Sequence, residues 1–245
     1  MTEENVKTVV VMIPTYNEGE NIADLLKEIL ALQAGAPLSV LVVDDDSPDG
    51  TGRIAEEMGR IDPRVRVLVR KKRRGRGAAG IDGFKAALAM NPDLVVEMDG
   101  DFSHQPRYIP DLIDAASRYD VVIGSRFIKG GRDADRNFVR RSITFFVRCF
   151  IRRSFRFPIR DVSSGFRCFH REALEKIDLD DMISVGPSIV LEVLDRAFRL
   201  GFRIGEVPIE FMDRTKGRTK LNFLTLLETL VMAMKLKRGN GPAPG

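Results

Sequence analysis

The sequence predicts an α/β fold in which helices flank a mostly parallel β-sheet. Apolar runs of strand length at residues 9–13, 38–43, 65–69 and 94–98 alternate with segments that repeat apolar side chains at helical spacing. This alternation is typical of a doubly wound parallel sheet. The first run is also continuously apolar and mostly β-branched, as expected for a strand that is covered on both faces.

Helices are expected between these strands. The helix after the first strand carries apolar side chains on one face, at Ile22, Leu25, Leu26, Ile29 and Leu30. Further helices are predicted around residues 54–58, at residues 78–90 and from about Pro110, and residues 121–123 are predicted as a fifth strand. The alternation therefore accounts for the first half of the chain.

The second half is less regular. We expect a loop at residues 129–135, a helix at residues 187–200 and a strand at residues 202–211. A final amphipathic helix is predicted at residues 221–236, followed by a flexible glycine- and proline-rich tail at residues 239–245.

Composition limits the class of protein. The 245 residues, 44% of them hydrophobic, are enough for one large domain or for a domain with an appendage, and the net charge is only +4. Cys149 and Cys168 lie in no metal motif, which favours free thiols in a reducing compartment. The sequence shows no signal-peptide pattern and no apolar run near the ~20 residues of a spanning helix. We therefore expect a cytosolic protein that can still lie on a membrane.

Two carboxylates follow the fourth strand, at the edge where open α/β sheets bind ligands. Asp99 and Asp101 are separated by Gly100. Carboxylates at alternate positions can hold a hard divalent cation, and a glycine between them lets a ligand approach the backbone. This predicts a metal site, although an ordinary acidic turn is the alternative for this segment by itself.

Polar side chains also follow the first two strands. Tyr16 and Glu18 come after the first, and Asp44, Asp45 and Asp46 end the second. A carboxylate can accept hydrogen bonds from a ribose or a base edge, and a tyrosine ring can stack on a base. Clustered carboxylates repel one another unless a cation or a ligand offsets them, so these strand ends favour a nucleotide site.

These segments resemble a known enzyme family. Residues 14–18 (PTYNE), 43–51 (VDDDSPDGT) and 99–101 (DGD) are similar to the signature of family 2 glycosyltransferases with the GT-A fold. Further motifs resemble the dolichol-phosphate mannose synthases within that family, at residues 124–127, 163–167, 205–209 and 214–221. The resemblance runs from Val9 to about Leu226.

The resemblance implies transfer of mannose from GDP-mannose to dolichyl or another polyprenyl phosphate, with inversion and with Mg²⁺ or Mn²⁺. Asp99 and Asp101 would hold the metal, and Asp101 and Arg126 would be catalytic. The implied nucleotide-sugar-binding residues are Pro14, Tyr16, Glu18, Val43, Asp45, Asp99, Gly100, Asp101, Ser103, Arg126, Arg214 and Lys220. A polyprenyl-phosphate glucosyltransferase that uses UDP-glucose is the close alternative.

The same resemblance divides the chain into functional parts. Residues 1–126 would bind the nucleotide sugar and residues 127–221 the acceptor, followed by an amphipathic helix at residues 222–238 and the tail. A phosphate acceptor has a second pKa of about 6, so it is largely dianionic at neutral pH and needs no general base. His104 and His170 are therefore expected to be structural. Glu192 could act as a base only if the acceptor were a hydroxyl. We favour the interpretation of Glu192 as a helix residue near the acceptor pocket.

A lipid-linked acceptor would explain a segment that mixes arginines with aromatic residues. Its predicted apolar helix face consists of Ile143, Phe146, Val147, Phe150 and Ile151. Arginines at positions 141, 148, 152 and 153 point to other sides, as in an interfacial helix on an anionic membrane. A core helix with a basic exposed face is the alternative. With the apolar residues of the final helix (Phe223, Leu224, Leu227, Leu230, Val231 and Met234), this helix could form a groove for the lipid, on the cytosolic face of a membrane.

Two other classes compete. Gly75, Gly77 and Gly80 match the dinucleotide fingerprint of an NAD-dependent dehydrogenase, with Glu97 at a suitable distance. A run of basic residues separates Val69 from Gly75, however, whereas the fingerprint needs a tight turn directly after the strand. A nucleic-acid-binding module could use the same basic run, but it leaves the acidic strand ends without a role, so we expect no nucleic-acid partner.

Overall fold

The computed structural model describes residues 7–71, 75–133, 138–184, 186–212 and 231–236. In the helix that begins at Phe138, side chains are described from Phe146 onward. The first half contains β1 (Val9–Thr15), α1 (Ile22–Leu30), β2 (Leu38–Asp44), α2 (Thr51–Ile61), β3 (Val65–Val69), α3 (Arg76–Ala89) and β4 (Leu94–Glu97). These are the strands and helices that the sequence predicts there.

The second half begins with a 3₁₀ turn (Pro106–Tyr108) and continues with α4 (Ile109–Ala115), β5 (Val121–Ser125), β6 (Arg132–Asp133), α5 (Phe138–Phe155), β7 (Arg167–His170), α6 (Arg171–Lys176), α7 (Ile189–Arg199), β8 (Ile204–Pro208) and β9 (Glu210–Phe211). Residues 231–236 are also helical. The prediction of a single strand at residues 202–211 is wrong, because this segment forms two strands, β8 and β9, that are divided at Ile209. The Ile209 N–H donates to the Ser125 carbonyl at 3.0 Å.

The main sheet has seven strands in the order β3-β2-β1-β4-β7-β5-β8. β7 runs antiparallel to both of its neighbours, and the other neighbouring strands are parallel. β6 and β9 pair in a separate two-stranded sheet. The mostly parallel sheet that the sequence predicts is confirmed, with β7 as the unpredicted antiparallel strand.

The continuously apolar β1 serves two cores. Val9, Val11 and Ile13 face the layer that contains α1, α2 and α4, whereas Val10 and Met12 face the layer that contains α3, α6 and α7. Alternate side chains of a strand point to opposite faces, so a strand covered on both faces needs no polar positions. Helices on both sides thus hold the carboxyl edge of the sheet in place.

A third apolar cluster attaches α5 to α7. Ile151 and Phe155 of α5 pack with Leu191 and Leu194 of α7, and Phe155 stacks on Phe157 with ring centroids 5.3 Å apart. Burial of side chains of this size stabilises the contact by roughly 1.5–3 kcal/mol each. α5 is therefore anchored to the domain along one of its faces.

Candidate active site

The carboxyl ends of β1, β2 and β4 meet at one edge of the sheet, because β1 lies between the other two strands. Thr15 at the end of β1 pairs with Asp44 at the end of β2. The contact between β1 and β4 continues past Glu97, since the Met98 N–H donates to the Met12 carbonyl at 3.1 Å. The acidic segments after these strands therefore lie side by side, as the sequence predicts.

A short turn holds Asp101 beyond the end of β4. Its side chain is buried, and its Oδ1 accepts hydrogen bonds from the Ser103 N–H at 3.0 Å and from the Ser103 hydroxyl at 2.5 Å. Phe102 between them has a φ of 61°, a left-handed conformation that closes the turn. Ser103 therefore orients the Asp101 carboxylate directly.

Asp99 contacts a cation from α3. Its Oδ1 lies 2.9 Å from Nη2 of Arg76, and the same nitrogen is 3.4 Å from Oε1 of Glu97. The Asp99 side chain is 34% exposed whereas that of Glu97 is 4% exposed, so Asp99 is the accessible member of the group. Burial raises the pKa of Glu97, while the charges of Arg76 and Arg167 oppose that rise. Sequence reasoning missed Arg76 as part of this site, and the available signal was a basic residue between two glycines at a helix start.

His104 lies directly behind Asp99. Its Nδ1 accepts a hydrogen bond from the Asp99 N–H at 3.0 Å, and its ring stacks on Phe166 with centroids 5.0 Å apart. Burial lowers the pKa of His104 against the opposing effect of Asp99. The ring is therefore neutral at pH 7 and takes a structural position, while His170 contacts the Ala116 carbonyl at 2.7 Å, away from the acidic edge.

Glycines bring two segments close to this group. A Cβ on Gly100 would lie 3.1 Å from Cγ2 of Thr15 and 3.4 Å from Cγ2 of Ile13, so packing against β1 already explains a glycine here. A Cβ on Gly165 would lie 2.8 Å from Nη2 of Arg76. The segment before β7 therefore packs directly against the cation that contacts Asp99.

Asp45 is also paired with an arginine. It contacts Nη1 of Arg70 and accepts a hydrogen bond from the Gly75 N–H at 2.8 Å, and Arg70 also donates from Nε to Asp82 at 2.8 Å. Both Arg70 and Asp45 are buried. Arg70 is a second residue that sequence reasoning missed, because in the sequence it is one of a run of basic residues.

The remaining predicted nucleotide residues differ in exposure. Tyr16 is 37% exposed and Pro14 is half-buried. Glu18 is buried, and its Oε2 accepts a hydrogen bond from Asn21 at 3.1 Å. Val43 is fully buried in the core, so it could meet a ligand only through its backbone. Tyr16 therefore provides the accessible ring at this edge.

Asp44 and Asp49 fix the loop after β2. Asp44 Oδ1 accepts hydrogen bonds from the Thr15 hydroxyl at 3.0 Å and from the Ser47 hydroxyl at 2.6 Å. Asp49 Oδ1 accepts from the N–H of Thr51 at 3.0 Å and from its hydroxyl at 2.6 Å. These two carboxylates shape the loop that leads into α2.

Arg126 follows β5 and is held by Asp161. Its Nε lies 2.7 Å from Asp161 Oδ2, its Nη2 lies 2.8 Å from Oδ1, and Nη2 also donates to the Ser163 hydroxyl at 2.8 Å. Burial lowers the pKa of Arg126, but the charge and hydrogen bonds of Asp161, together with the charges of Asp133 and Asp99, outweigh burial and raise the pKa overall. Glu206 accepts hydrogen bonds from the N–H groups of Asp161 and Arg160, each at 2.8 Å. Sequence motifs that lie far apart thus meet around Arg126.

Arg167 supports this cluster from within the core. It is fully buried and donates to the carbonyls of Ser164 at 2.7 Å, Val190 at 2.6 Å and Val162 at 3.2 Å. Burial lowers the pKa of Arg167 to about 10, so the side chain remains charged at neutral pH. It fixes the segment at residues 162–165 beneath Arg76.

Glu192 is fully buried on α7. Its carboxylate accepts hydrogen bonds from the N–H groups of Ile183 at 3.0 Å and Ser184 at 2.8 Å, and from Arg196 at 3.0 Å. Glu192 is thus a residue of α7 whose carboxylate holds the loop at residues 183–184, and its position near the acceptor pocket stays a prediction.

The exposed apolar face of α5 is narrower than the sequence predicts. Phe146 is 70% exposed and Phe150 is 50% exposed, whereas Ile151 is 4% exposed. The prediction that Ile151 shares the exposed face is wrong, because Ile151 packs against α7 in the third apolar cluster. The side chains of Arg141 and Ile143 lie outside the described part.

The α5 arginines also differ from one another. The Arg148 guanidinium carbon lies 3.6 Å from the ring centroid of Phe127, and burial lowers the pKa of Arg148. Arg152 is half-buried and Arg153 is exposed. Of the arginines predicted for an interfacial helix, Arg148 therefore covers an aromatic ring of the domain, whereas Arg153 is exposed to solvent.

Several predicted residues fall outside the described ranges. They are Arg214, Lys220, Phe223, Leu224, Leu227, Leu230, residues 134–137 of the predicted loop and the tail. Residues 231–236 are described, and there Val231 is 40% and Met234 46% exposed. None of the helices in the described ranges is long and apolar enough to cross a membrane. Within those same ranges, no group of three or more His, Cys, Asp or Glu side chains is arranged to hold a metal ion.

The mostly parallel sheet and the carboxylates at its edge define a GT-A fold, and solved structures agree. The chain is similar to glucosyl-3-phosphoglycerate synthase from Mycobacterium tuberculosis, with a TM-score of 0.70 and 20% identity over 96% of this chain and 81% of that chain. Residues 10–178 match the family described as glycosyl transferase family 2. The chain belongs to this family and is a glycosyltransferase.

Relatives of known activity indicate which kind of glycosyltransferase the chain resembles. The chain is 40% identical over 215 residues to undecaprenyl-phosphate mannosyltransferase from Micrococcus luteus, covering 87% of each chain. It is 37% identical to polyprenol monophosphomannose synthase from Mycolicibacterium smegmatis, over 90% of this chain and 83% of the relative. It is 36% identical to dolichol-phosphate mannosyltransferase from Pyrococcus furiosus, over 94% of this chain and 64% of the relative. The resemblance stated from the motifs is confirmed, and the dehydrogenase and nucleic-acid alternatives are set aside.

Proposed function

We propose that this enzyme transfers mannose from GDP-mannose to a polyprenyl phosphate, of which dolichyl phosphate is one kind, with inversion at the sugar. The observation that carries the proposal is the similarity to three relatives, 36–40% identical over 87–94% of this chain, whose names all describe mannosyl transfer to a polyprenyl or dolichyl phosphate. The acidic edge around Asp99 and Asp101 supports the proposal, because carboxylates suit the cation that accompanies a nucleoside diphosphate.

Asp99 and Asp101 would hold Mg²⁺ or Mn²⁺. Their carboxylates are hard oxygen ligands at alternate positions, and the support that Ser103 gives Asp101 fits such a role. The synthase from Mycobacterium tuberculosis was solved with Mn²⁺ and UDP. When bound, a divalent cation stabilises the negative charge of the leaving diphosphate as a Lewis acid.

The protein's own cations would complete the phosphate site. Arg126 is charged, buried and oriented by Asp161, and a guanidinium binds phosphate oxygens through charge-assisted hydrogen bonds. Arg214 and Lys220 are proposed for the same phosphates. The acceptor phosphate attacks the sugar as a dianion, so the reaction needs no general base. Glu192 and His104 are badly placed for that role.

The guanosine would lie over the ends of β1 and β2. Tyr16 offers an accessible ring for stacking, and Pro14, Glu18, Val43 and Asp45 would surround the base and ribose. A carboxylate such as Asp45 can accept hydrogen bonds from the edge of guanine. Arg70, which contacts Asp45, would be close to the same base.

The acceptor would reach the enzyme from a membrane. Phe146 and Phe150 are exposed neighbours on one face of α5, next to the exposed Arg153. Aromatic side chains and basic residues on one helix are typical of interfacial attachment. We therefore propose peripheral contact with the cytosolic face of a membrane.

A donor panel tests the proposal. Purified enzyme is mixed with a short polyprenyl phosphate, Mn²⁺ and radiolabelled GDP-mannose, GDP-glucose, UDP-glucose or UDP-mannose, and label is followed into the lipid phase. We expect label from GDP-mannose in the lipid phase. Transfer from UDP-glucose instead would replace the proposal with a polyprenyl-phosphate glucosyltransferase, and transfer only to a water-soluble acceptor would refute the lipid substrate.

A further inference from the structure

Arg76 places a positive charge inside the acidic edge at which the metal is proposed to bind. Its Nη2 is 2.9 Å from Asp99 Oδ1 and 3.4 Å from Glu97 Oε1. Burial lowers the pKa of Arg76, but the charges of Asp99, Glu97 and Asp101 raise it overall. The guanidinium therefore already neutralises part of the charge that a cation would neutralise.

The hydrogen-bonding capacity of the Arg76 guanidinium is also incompletely used. Its Nη1 is buried and has no hydrogen-bond partner in the described part of the chain. A buried donor without a partner is destabilising, so this arrangement gains if the guanidinium finds further acceptors. On the side of Nη2 the backbone at Gly165 approaches so closely that a Cβ there would lie 2.8 Å away. The guanidinium is thus confined between a carboxylate pair and a glycine.

We propose that Arg76 is an internal counter-ion of the metal site, which pairs with Asp99 until the metal and the donor diphosphate displace it. This inference rests on the proposed function. A divalent cation on Asp99 would meet a like charge at contact distance, so the guanidinium must leave that carboxylate. The diphosphate offers the acceptors that Nη1 lacks, and arginine binds phosphate through several donors at once. Arg76 would therefore oppose metal binding in the absence of donor and favour donor binding afterwards.

These two effects have opposite signs, which separates this role from a structural one. Without Arg76, Mn²⁺ should bind more tightly in the absence of nucleotide, because a competing cation is gone. GDP should bind more weakly at saturating Mn²⁺, because a phosphate ligand is gone. Loss of a residue that only supports the fold would weaken the binding of both Mn²⁺ and GDP.

The test uses the full chain and the Arg76→Met variant, which keeps side-chain length and removes charge. Free Mn²⁺ is titrated by electron paramagnetic resonance without nucleotide, and GDP is titrated by calorimetry at saturating Mn²⁺. We expect the Mn²⁺ Kd to fall and the GDP Kd to rise, each by about 5- to 150-fold, the usual range of coupling between sites. Arg66→Met, at an exposed arginine of β3, is the matched control and should change neither constant.

The buried Glu97 could destabilise the Arg76→Met variant, because it would lose a neighbouring charge. The double variant Arg76→Met/Glu97→Gln removes both charges and is titrated in the same way beside Glu97→Gln alone, and the same two shifts are expected between these two variants. Unchanged Mn²⁺ affinity, or weaker binding of both ligands by a variant that melts like the parent, would overturn the inference. If neither the parent nor the variants bind Mn²⁺ even with GDP, the metal in the proposed function is wrong, and this inference with it.

Discussion

Arg126 and Asp161 form a buried ion pair with two contacts, Nε–Oδ2 at 2.7 Å and Nη2–Oδ1 at 2.8 Å. The Arg126 N–H donates to the same carboxylate at 3.1 Å, so Asp161 fixes both the side chain and the backbone of Arg126. Asp161 is itself held through its N–H by Glu206. The arginine proposed for the phosphates is therefore oriented by the protein before a ligand arrives.

Replacing Asp161 by Asn should destabilise the fold by about 3–5 kcal/mol, because it leaves a buried guanidinium without its counter-charge. Urea denaturation followed by circular dichroism measures the loss. Asp62→Asn, at the exposed pair with Arg64, is the matched control and should change stability little. Equal stability of the Asp161→Asn variant and the parent would show that the pair contributes no net stabilisation.

The same pair predicts a dependence of stability on acid pH. Burial raises the pKa of Asp161, but the charge and hydrogen bonds of Arg126 and a hydrogen bond from Ser163 together outweigh burial and hold the pKa below its ordinary value of 3.8. Because the folded pKa is lower than the unfolded one, the contribution of the pair is complete above the unfolded value. It falls below that value by up to about 1.4 kcal/mol per pH unit until the folded pKa is reached. Urea midpoints measured from pH 6 downward should decline less steeply for Asp161→Asn than for the parent, and parallel curves would contradict this assignment.

The limits of sequence reasoning can be seen at particular elements. Long apolar runs predicted β1 to β5 because the hydrophobic period is local information. β7 was missed because it has four residues, one of them the buried Arg167, and its place in the sheet depends on neighbours far away in the chain. An arginine normally indicates a solvated surface, so no local pattern marks Arg167 as part of the core.

The residues of the candidate site also differ in how far the sequence predicts them. The carboxylates at Asp99 and Asp101 could be predicted because strand ends collect at one edge of a parallel sheet. The partner Arg70 could not, since it belongs to a run of several equivalent basic residues, and Arg76 was marked only by the glycines on either side of it at the start of α3. Ile151 was assigned to the wrong face of α5 because helical spacing defines an apolar stripe without showing which part of it meets α7.

Asp101→Asn should remove most transferase activity while preserving the fold. The amide keeps an oxygen that can accept the hydrogen bonds from Ser103, but it lacks the charge that a hard cation requires. Mannosyl transfer should fall by at least about 100-fold, since even changes one shell away from a metal cost up to that factor.

Thermal melting of the Asp101→Asn variant should resemble that of the parent without ligand and should lose the stabilisation by Mn²⁺ with GDP. Asp111→Asn, at an exposed carboxylate of α4, is the control and should behave like the parent. Normal turnover by the Asp101→Asn variant at all Mn²⁺ concentrations would remove the proposed metal site.

Glu192→Gln should affect stability more than chemistry. The carboxylate oxygens accept from two different backbone N–H groups, and glutamine retains only one acceptor oxygen. A buried group left without its partner costs about 1–3 kcal/mol, which denaturation should reveal. Turnover per folded molecule and its pH profile should stay as in the parent. A large loss of turnover with unchanged stability would instead make Glu192 a general base and point to a hydroxyl acceptor.

The last prediction concerns Phe146 and Phe150 on α5. If their exposed rings enter a lipid interface, the double change Phe146→Ala/Phe150→Ala should weaken binding to liposomes by up to about 100-fold, or roughly 3 kcal/mol, at any salt concentration. Arg153→Gln should cost about 1 kcal/mol on anionic liposomes at low salt and less at high salt, because salt screens exposed charges.

Ile61→Ala is the matched control for these α5 variants, because Ile61 is 86% exposed on α2, a helix in the first half of the chain. Co-sedimentation with anionic and neutral liposomes, at two salt concentrations, measures all of these effects. The Ile61 variant should bind like the parent. If the double phenylalanine variant also binds like the parent while Ile61→Ala does not, the membrane-facing surface lies elsewhere and α5 contributes only through its buried face.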